Sequence, residues 1–201
     1  MVAPEDENSI CFCFPTAGFQ APVVARIVRA SEVQGTDTVA LARGMLGRFL
    51  VTRIDGVRHA RRIVEVEAYH GPDDLGCHAS RGRTARTAVM FAPGGVWYVY
   101  LVYGTHEMLN LVTGPRDFPA AVLIRGVEGI AGPGRLTRAL AIDRRFNGRR
   151  ASLASGLWIE DDGLVPPEFE VAITPRIGID YAGPVWSAKP WRFVWTPAST
   201  G

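Results

Sequence analysis

An Asp55-Gly56 pair separates two β-forming runs, Phe49 to Ile54 and Arg62 to Tyr69. Asp-Gly suits the positive backbone angles of a tight hairpin turn, so the two runs are predicted to pair antiparallel. Side chains alternate along a strand. Val64, Val66 and Ala68 therefore fall on one face, and Ile63, Glu65, Glu67 and Tyr69 on the other. One face suits a core. The other gathers two carboxylates and a phenol, with the two glutamate Cα atoms ~6.5–7 Å apart from the strand rise. Carboxylates this close suit general acid or base work. A solvated polar face paired with arginines is the alternative on these residues alone.

The rest of the chain repeats the strand theme. Trp97 to Val102 and Met108 to Val112 form the arms of a second hairpin turning at Tyr103-Gly104-Thr105-His106, and Ala120 to Ile124 is a short apolar strand ending in Arg125. Further strands are predicted near Leu157 to Glu160 and Glu168 to Ile173. One helix is predicted from Thr36, capped by Thr36 or Asp37, burying Val39, Ala40, Leu41, Met45 and Leu46 and stopping at Gly47. A second spans Leu136 to Ile142 after the Gly132-Pro133-Gly134 turn. With 201 residues, the chain is one α+β domain built on a mostly antiparallel sheet.

Composition excludes several classes. Hydrophobic residues at 47% and charged residues at 21% are ordinary for a folded domain. The apolar stretch from Val96 to Tyr103 falls far short of the ~20 residues of a membrane span. Three cysteines cannot build a disulfide framework, and the opening Glu5-Asp6-Glu7 is no secretory leader, so a cytoplasmic protein is expected. Neither Cys11-x-Cys13, Cys77-His78 nor the scattered histidines complete a metal-ligand set, and no phosphate loop or nucleophile elbow is present. No metal and no cofactor are expected.

What remains is a metal-free carboxylate among aromatic and basic groups. Tyr98 and Tyr100 share one strand face, and Tyr103 falls at a glycine-containing tip, where burial is difficult. Of 22 basic residues, Lys189 is the only lysine. Six arginines and one acid lie between Arg135 and Arg150, and Arg81, Arg83 and Arg86 follow the Glu67 strand. Arginine clusters beside an exposed aromatic suit phosphate-backbone binding.

These residues fall into blocks that resemble the alkyladenine (3-methyladenine) DNA glycosylase family. The blocks are Glu65-Val66-Glu67-Ala68-Tyr69, Gly71-Pro72-Asp73-Asp74 with His78, Arg81-Gly82-Arg83-Thr84, Val89-Met90-Phe91 and Tyr98 through Gly104. Asn110, Val122 through Arg125, Gly132 through Leu136 and Ala188 through Phe193 follow in order. The resemblance covers residues 37–195 and implies a repair enzyme acting on double-stranded DNA. With Lys189 the only lysine, a monofunctional enzyme without a Schiff-base step is expected, and a monomer is the default. It would flip a damaged purine (3-methyladenine or hypoxanthine) and hydrolyse its N-glycosidic bond, leaving an abasic site. Residues 1–22 show no clean period and read as an irregular extension; the resemblance implies a glycosylase domain over 23–199 and a DNA-inserting hairpin.

Carried over by position, the resemblance makes Glu67 the base that activates water, with Arg125 and the backbone carbonyl of Leu157 helping to hold it. Tyr69 would stack on one side of the base, with His78 and Tyr100 on the other. Gly76 and His78 backbone would meet its edge, and Asn110 would line the pocket floor. Tyr103 would wedge into the duplex, and Arg81, Arg83, Arg86 and Arg135 would contact the DNA backbone. The alternatives are a damage-binding protein that does not cut and a hydrolase of free nucleosides or glycosides using Glu65 and Glu67 as its acid/base pair. In one place the chain departs from the family: only Gly129-Ile130 separate Glu128 from Ala131, where a longer, helix-bearing segment is usual.

Overall fold

The Asp55-Gly56 turn forms as its chemistry dictates. In the computed structural model, which describes residues 25–197, both residues have positive φ, 50° and 82°. They join β2 (Phe49–Ile54) to β3 (Val57–Tyr69), paired in continuous register from Phe49↔Arg62 to Ile54↔Val57. β3 thus begins at the turn and not at Arg62, because the polar residues before Arg62 pair with β2 one by one. The expectations for residues 1–22, including Cys11 and Cys13, lie outside the described residues.

Before this hairpin come β1 (Arg26–Ile27) and α1 (Thr38–Arg43). After it come β4 (Trp97–Val102), β5 (His106–Val112), β6 (Ala121–Val127), β7 (Ile130–Ala131) and α2 (Pro133–Ala139). The chain finishes with β8 (Leu157–Asp161), β9 (Val171–Thr174), α3 (Gly183–Ser187) and β10 (Arg192–Trp195). The strands pair antiparallel in the order β1-β8-β2-β3-β6-β5-β4, with β10 on β3, β9 on β10 and β7 on β6. This is the α+β architecture expected, with short helices at the margins.

Both predicted helices shift by a turn or less. Asp37 caps α1, accepting from the Ala40 N–H at 2.9 Å. The helix buries Thr38 and Ala42, and Met45 and Leu46 are buried in the turn after it, whereas Val39, Ala40 and Leu41 are not. α2 starts at Pro133, whose fixed φ suits the first helical position. The shortened segment closes without a helix: Glu128 and Gly129 (φ 77°) turn β6 directly onto β7, and Ile130 packs against the core.

Strand alternation splits the sheet into two apolar faces. Val66, Ala68, Trp97, Val99, Leu109, Leu111, Val122 and Ile124 join the main core. Tyr98, Val112 and Ala121 face the other way, onto a smaller cluster with Cys77, Ala79 and Met90, against which Tyr69 and Tyr100 pack. The β3–β6 ladder breaks twice where the two faces meet the carboxylates. Val64 is an extra residue on β3 between the Ile63↔Val127 and Glu65↔Gly126 pairs, and Arg125 is an extra residue on β6 before Val66↔Ile124. The first bulge sends Ile63 into the core rather than to the Glu65 face. The second aims Arg125 at the carboxylates, the re-aiming that bulges provide beside functional sites. Gly126 makes this approach possible, since a methyl group there would lie 3.1 Å from the Glu65 Cβ.

Candidate active site

Glu67 sits in the middle of the sheet, opposite Leu123 on β6 and Arg192 on β10, with its side chain fully buried. Its Oε1 accepts the Ile177 N–H at 2.8 Å and lies 3.4 Å from Arg125 Nε, and its Oε2 accepts the Tyr69 hydroxyl at 2.9 Å. Burial raises its pKa above the usual 4.5, opposed by Arg125 and by the Ile177 and Tyr69 hydrogen bonds. Glu65 is held differently. One of its oxygens accepts both Arg125 Nε at 3.0 Å and Arg192 Nε at 2.7 Å. It anchors Arg125.

A cavity of about 530 Å³ opens beside this group, lined by Tyr69, Gly76, His78, Tyr100, Asn110 and Arg125 among others. Glu67 lies behind the lining made by Tyr69, Arg125 and Ile177. His78 Nδ1 lies 3.3 Å from the Tyr98 hydroxyl, and its ring packs edge-on to Tyr100 with centroids 4.6 Å apart. Burial, followed by the Arg86 charge, pushes the His78 pKa down to about 4, so the ring is neutral at physiological pH. Asn110 Nδ2 donates to the carbonyls of Tyr98 and Met108 at 3.2 and 3.4 Å. The structure brings these predicted pocket residues together.

The outer surface carries the predicted hairpin. Tyr103 and Gly104, with φ of 52° and 69°, turn β4 into β5, and Tyr103 is 91% exposed at the tip while also lining the mouth of the cavity. Arg81 and Arg135 are exposed and make no ion pair among the described residues. Arg83 is exposed but bound to Asp117 at 2.8 Å. Arg86 is exposed and also lines the cavity, its guanidinium 5.0 Å from the Tyr100 ring.

Leu157 is not brought to the site. It lies on β8, paired with Thr52 of β2, and its carbonyl accepts Trp97 Nε1 at 3.0 Å and Ser155 Oγ at 3.0 Å. The backbone group that reaches Glu67 belongs to Ile177 instead.

Sequence reasoning also passed over a buried ion pair. Arg176 grips Asp74 through two bonds, Nη1 to Oδ2 at 2.6 Å and Nη2 to Oδ1 at 2.8 Å. The signal available was an arginine inside the apolar run Pro175-Arg176-Ile177-Gly178-Ile179 and a carboxylate inside a Gly-Pro loop. Neither residue names its partner across 102 positions.

With this geometry in place, comparison with known proteins is decisive. A family model described as methylpurine-DNA glycosylase matches residues 32–199. The chain belongs to this family. A relative from Anaeromyxobacter sp. (strain Fw109-5) is 48% identical over 171 residues, covering 82% of this chain and 87% of its own. One from Anaeromyxobacter dehalogenans (strain 2CP-C) is 52% identical over 165 residues, covering 78% of each. One from Psychrobacter cryohalolentis is 43% identical over 206 residues, covering 87% of this chain and 94% of its own. All three carry the name "Putative 3-methyladenine DNA glycosylase". The family match spans every residue that lines the cavity, from Tyr69 to Tyr181. Among the described residues no helix is long and apolar enough to cross a membrane.

Proposed function

We propose that this methylpurine-DNA glycosylase family member excises alkylated purines, 3-methyladenine first, from duplex DNA. Hydrolysis of the N-glycosidic bond leaves an abasic site. The observation that carries the reading is a buried carboxylate, Glu67, behind an aromatic cavity whose mouth is shared with the exposed Tyr103. Tyr103 fills the gap left by the flipped nucleotide. The base enters between Tyr69 and the His78–Tyr100 wall. A water held beside the Glu67–Arg125 pair gives its proton to Glu67 as its oxygen attacks C1′, and the bond to the purine breaks with its electrons leaving on the base. Negative charge nearby steadies the oxocarbenium-like sugar.

An alkylated purine carries positive charge and leaves readily, whereas hypoxanthine must gain a proton and is expected to be cut more slowly. Both walls already hold a guanidinium, Arg176 at 4.8 Å from Tyr69 and Arg86 at 5.0 Å from Tyr100. Stacking rather than cation–π attraction therefore carries most of the grip on the base. Lys189 is held 5.0 and 5.2 Å from the rings of Trp186 and Trp191, not in the cavity lining, which supports a reaction without a Schiff base.

The direct test is release of free 3-methyladenine from alkylated duplex DNA, with abasic sites counted by alkaline cleavage. Selective binding without release would favour the silent binder. Binding that ignores added salt would favour the nucleoside hydrolase, because phosphate contacts lose affinity steeply with salt.

Two further results are expected. Tyr103→Ala should weaken binding to lesion duplex by roughly 1–3 kcal/mol and leave the melting temperature unchanged, because the side chain is exposed. Unchanged lesion affinity and excision would remove the wedge role. The single-turnover rate should fall on acidification with an inflection above the ordinary 4.5 of a carboxylate, since burial raises Glu67 and the base must be ionised. Arg125, Tyr69, Arg176, Glu65 and Arg192 are the charged and titratable groups facing it. His78, pushed down to about 4 by burial, is largely neutral above about pH 5. A rate that stays flat down to about pH 4.5 would remove Glu67 as the titrating base.

A further inference from the structure

The Asp74–Arg176 pair is an expensive device for a protein that needs only stability. Both side chains are 0% exposed. Well-packed apolar residues serve an interior as well as or better than a buried ion pair. Arg176 Nε, moreover, is buried with no hydrogen-bond partner, an unfavourable arrangement. The other four N–H protons of the guanidinium are all used, on Asp74, on the Ala68 carbonyl and, at 3.4 Å, on the Trp186 carbonyl.

Its surroundings show what orients it. Asp74 Oδ2 also accepts the His70 N–H, and Oδ1 the Gly76 N–H, each at 3.0 Å. Arg176 Nη1 donates to the carbonyl of Ala68, between Glu67 and Tyr69, at 2.9 Å. The guanidinium lies 4.8 Å from the Tyr69 ring and 5.0 Å from Trp191, whose ring is in turn 5.2 Å from Lys189 Nζ. The result is a stack running from the surface to the wall of the cavity. A methyl group at Gly76 would lie 2.8 Å from Arg176 Nη2, so the loop leading to His78 is seated directly against it. The next residue, Ile177, gives its N–H to Glu67 at 2.8 Å.

We propose that Asp74 and Arg176 form the positioning unit of this site, fixing the Tyr69 wall, the Gly76–His78 edge and the Ile177 N–H against Glu67 through one buried bidentate contact. The role rests on the excision reading above. Neither residue touches the reacting atoms. They act through Tyr69 and Ile177, and a small displacement of positioned groups costs rate far more than it costs binding.

The test measures single-turnover excision across pH, affinity for undamaged duplex and thermal melting for wild type and Arg176→Lys, which keeps the charge and loses the planar fork. The variant should melt cooperatively and bind undamaged duplex as wild type does. It should excise roughly 10–100-fold more slowly, with its acid limb moved to higher pH, because the Ile177 N–H no longer holds the Glu67 charge. A folded variant with the wild-type rate and acid limb overturns the proposal. Should Arg176→Lys fail to fold, the neutral pair Asp74→Asn/Arg176→Gln buries no unpaired charge and should show the same slow excision. Loss of the cooperative melt in both variants would mark the pair as a structural pin only and overturn the positioning role. Wild type that releases no purine overturns the excision reading, and the proposal with it.

Discussion

Glu67→Gln is expected to lose roughly 10²–10⁴-fold in single-turnover excision while melting at or above the wild-type temperature at neutral pH. Burial raises the folded-state pKa of Glu67 above 4.5, so the folded protein binds this proton more readily than the unfolded chain does. The carboxylate's contribution to stability therefore falls as pH rises from the unfolded value through the raised folded one. At neutral pH the ionised group is a cost that glutamine lifts. The amide oxygen can still accept the Ile177 N–H, and the Tyr69 hydroxyl can reverse to accept from the amide nitrogen. Activity and stability should thus move in opposite directions, the signature of a residue kept for chemistry. Excision that survives the substitution would move the base role away from Glu67, with Glu65 next despite its clasp between Arg125 and Arg192.

The largest loss of stability should come from Asp74→Ala. It leaves a guanidinium buried, without its two charge-assisted bonds, and the N–H groups of His70 and Gly76 unpaired. Arginine cannot shed its charge to escape. Breaking a buried pair from one side costs about 3–5 kcal/mol, which in a domain of this size lowers the melting temperature by roughly 10 °C. Thermal melts of wild type and variant check this directly. A fall of only a degree or two would mean that water reaches Arg176 and that the pair is not the sealed contact described.

What the sequence made legible followed from local rules. Asp-Gly and Tyr-Gly turn chemistry placed both hairpins, and alternation then put Glu67 and Tyr69 on one face and raised Tyr103 on a tip. Side-chain period alone did not reveal the two bulges. One extra residue at Val64 and one at Arg125 leave each local pattern looking like an ordinary strand, yet together they bring Arg125 to the carboxylates. Leu157 shows a different limit. Only the resemblance assigns its carbonyl to the site; the apolar run Leu157-Trp158-Ile159 suits a strand but does not say which neighbour it takes, and it pairs with β2. The Arg176–Ile177 segment lies between β9 and α3 without a period of its own, so no local signal tied it to Glu67.

Hydrolysis at Glu67 is tested most directly by a single-turnover reaction in heavy-oxygen water, on a duplex carrying one 3-methyladenine. The expected products are an unlabelled free purine and one labelled oxygen on C1′ of the abasic sugar, the strand staying intact until alkali is added. Lesion duplex that keeps its purine under saturating protein, or a protein–DNA adduct trapped by borohydride, would contradict water activation by a buried carboxylate.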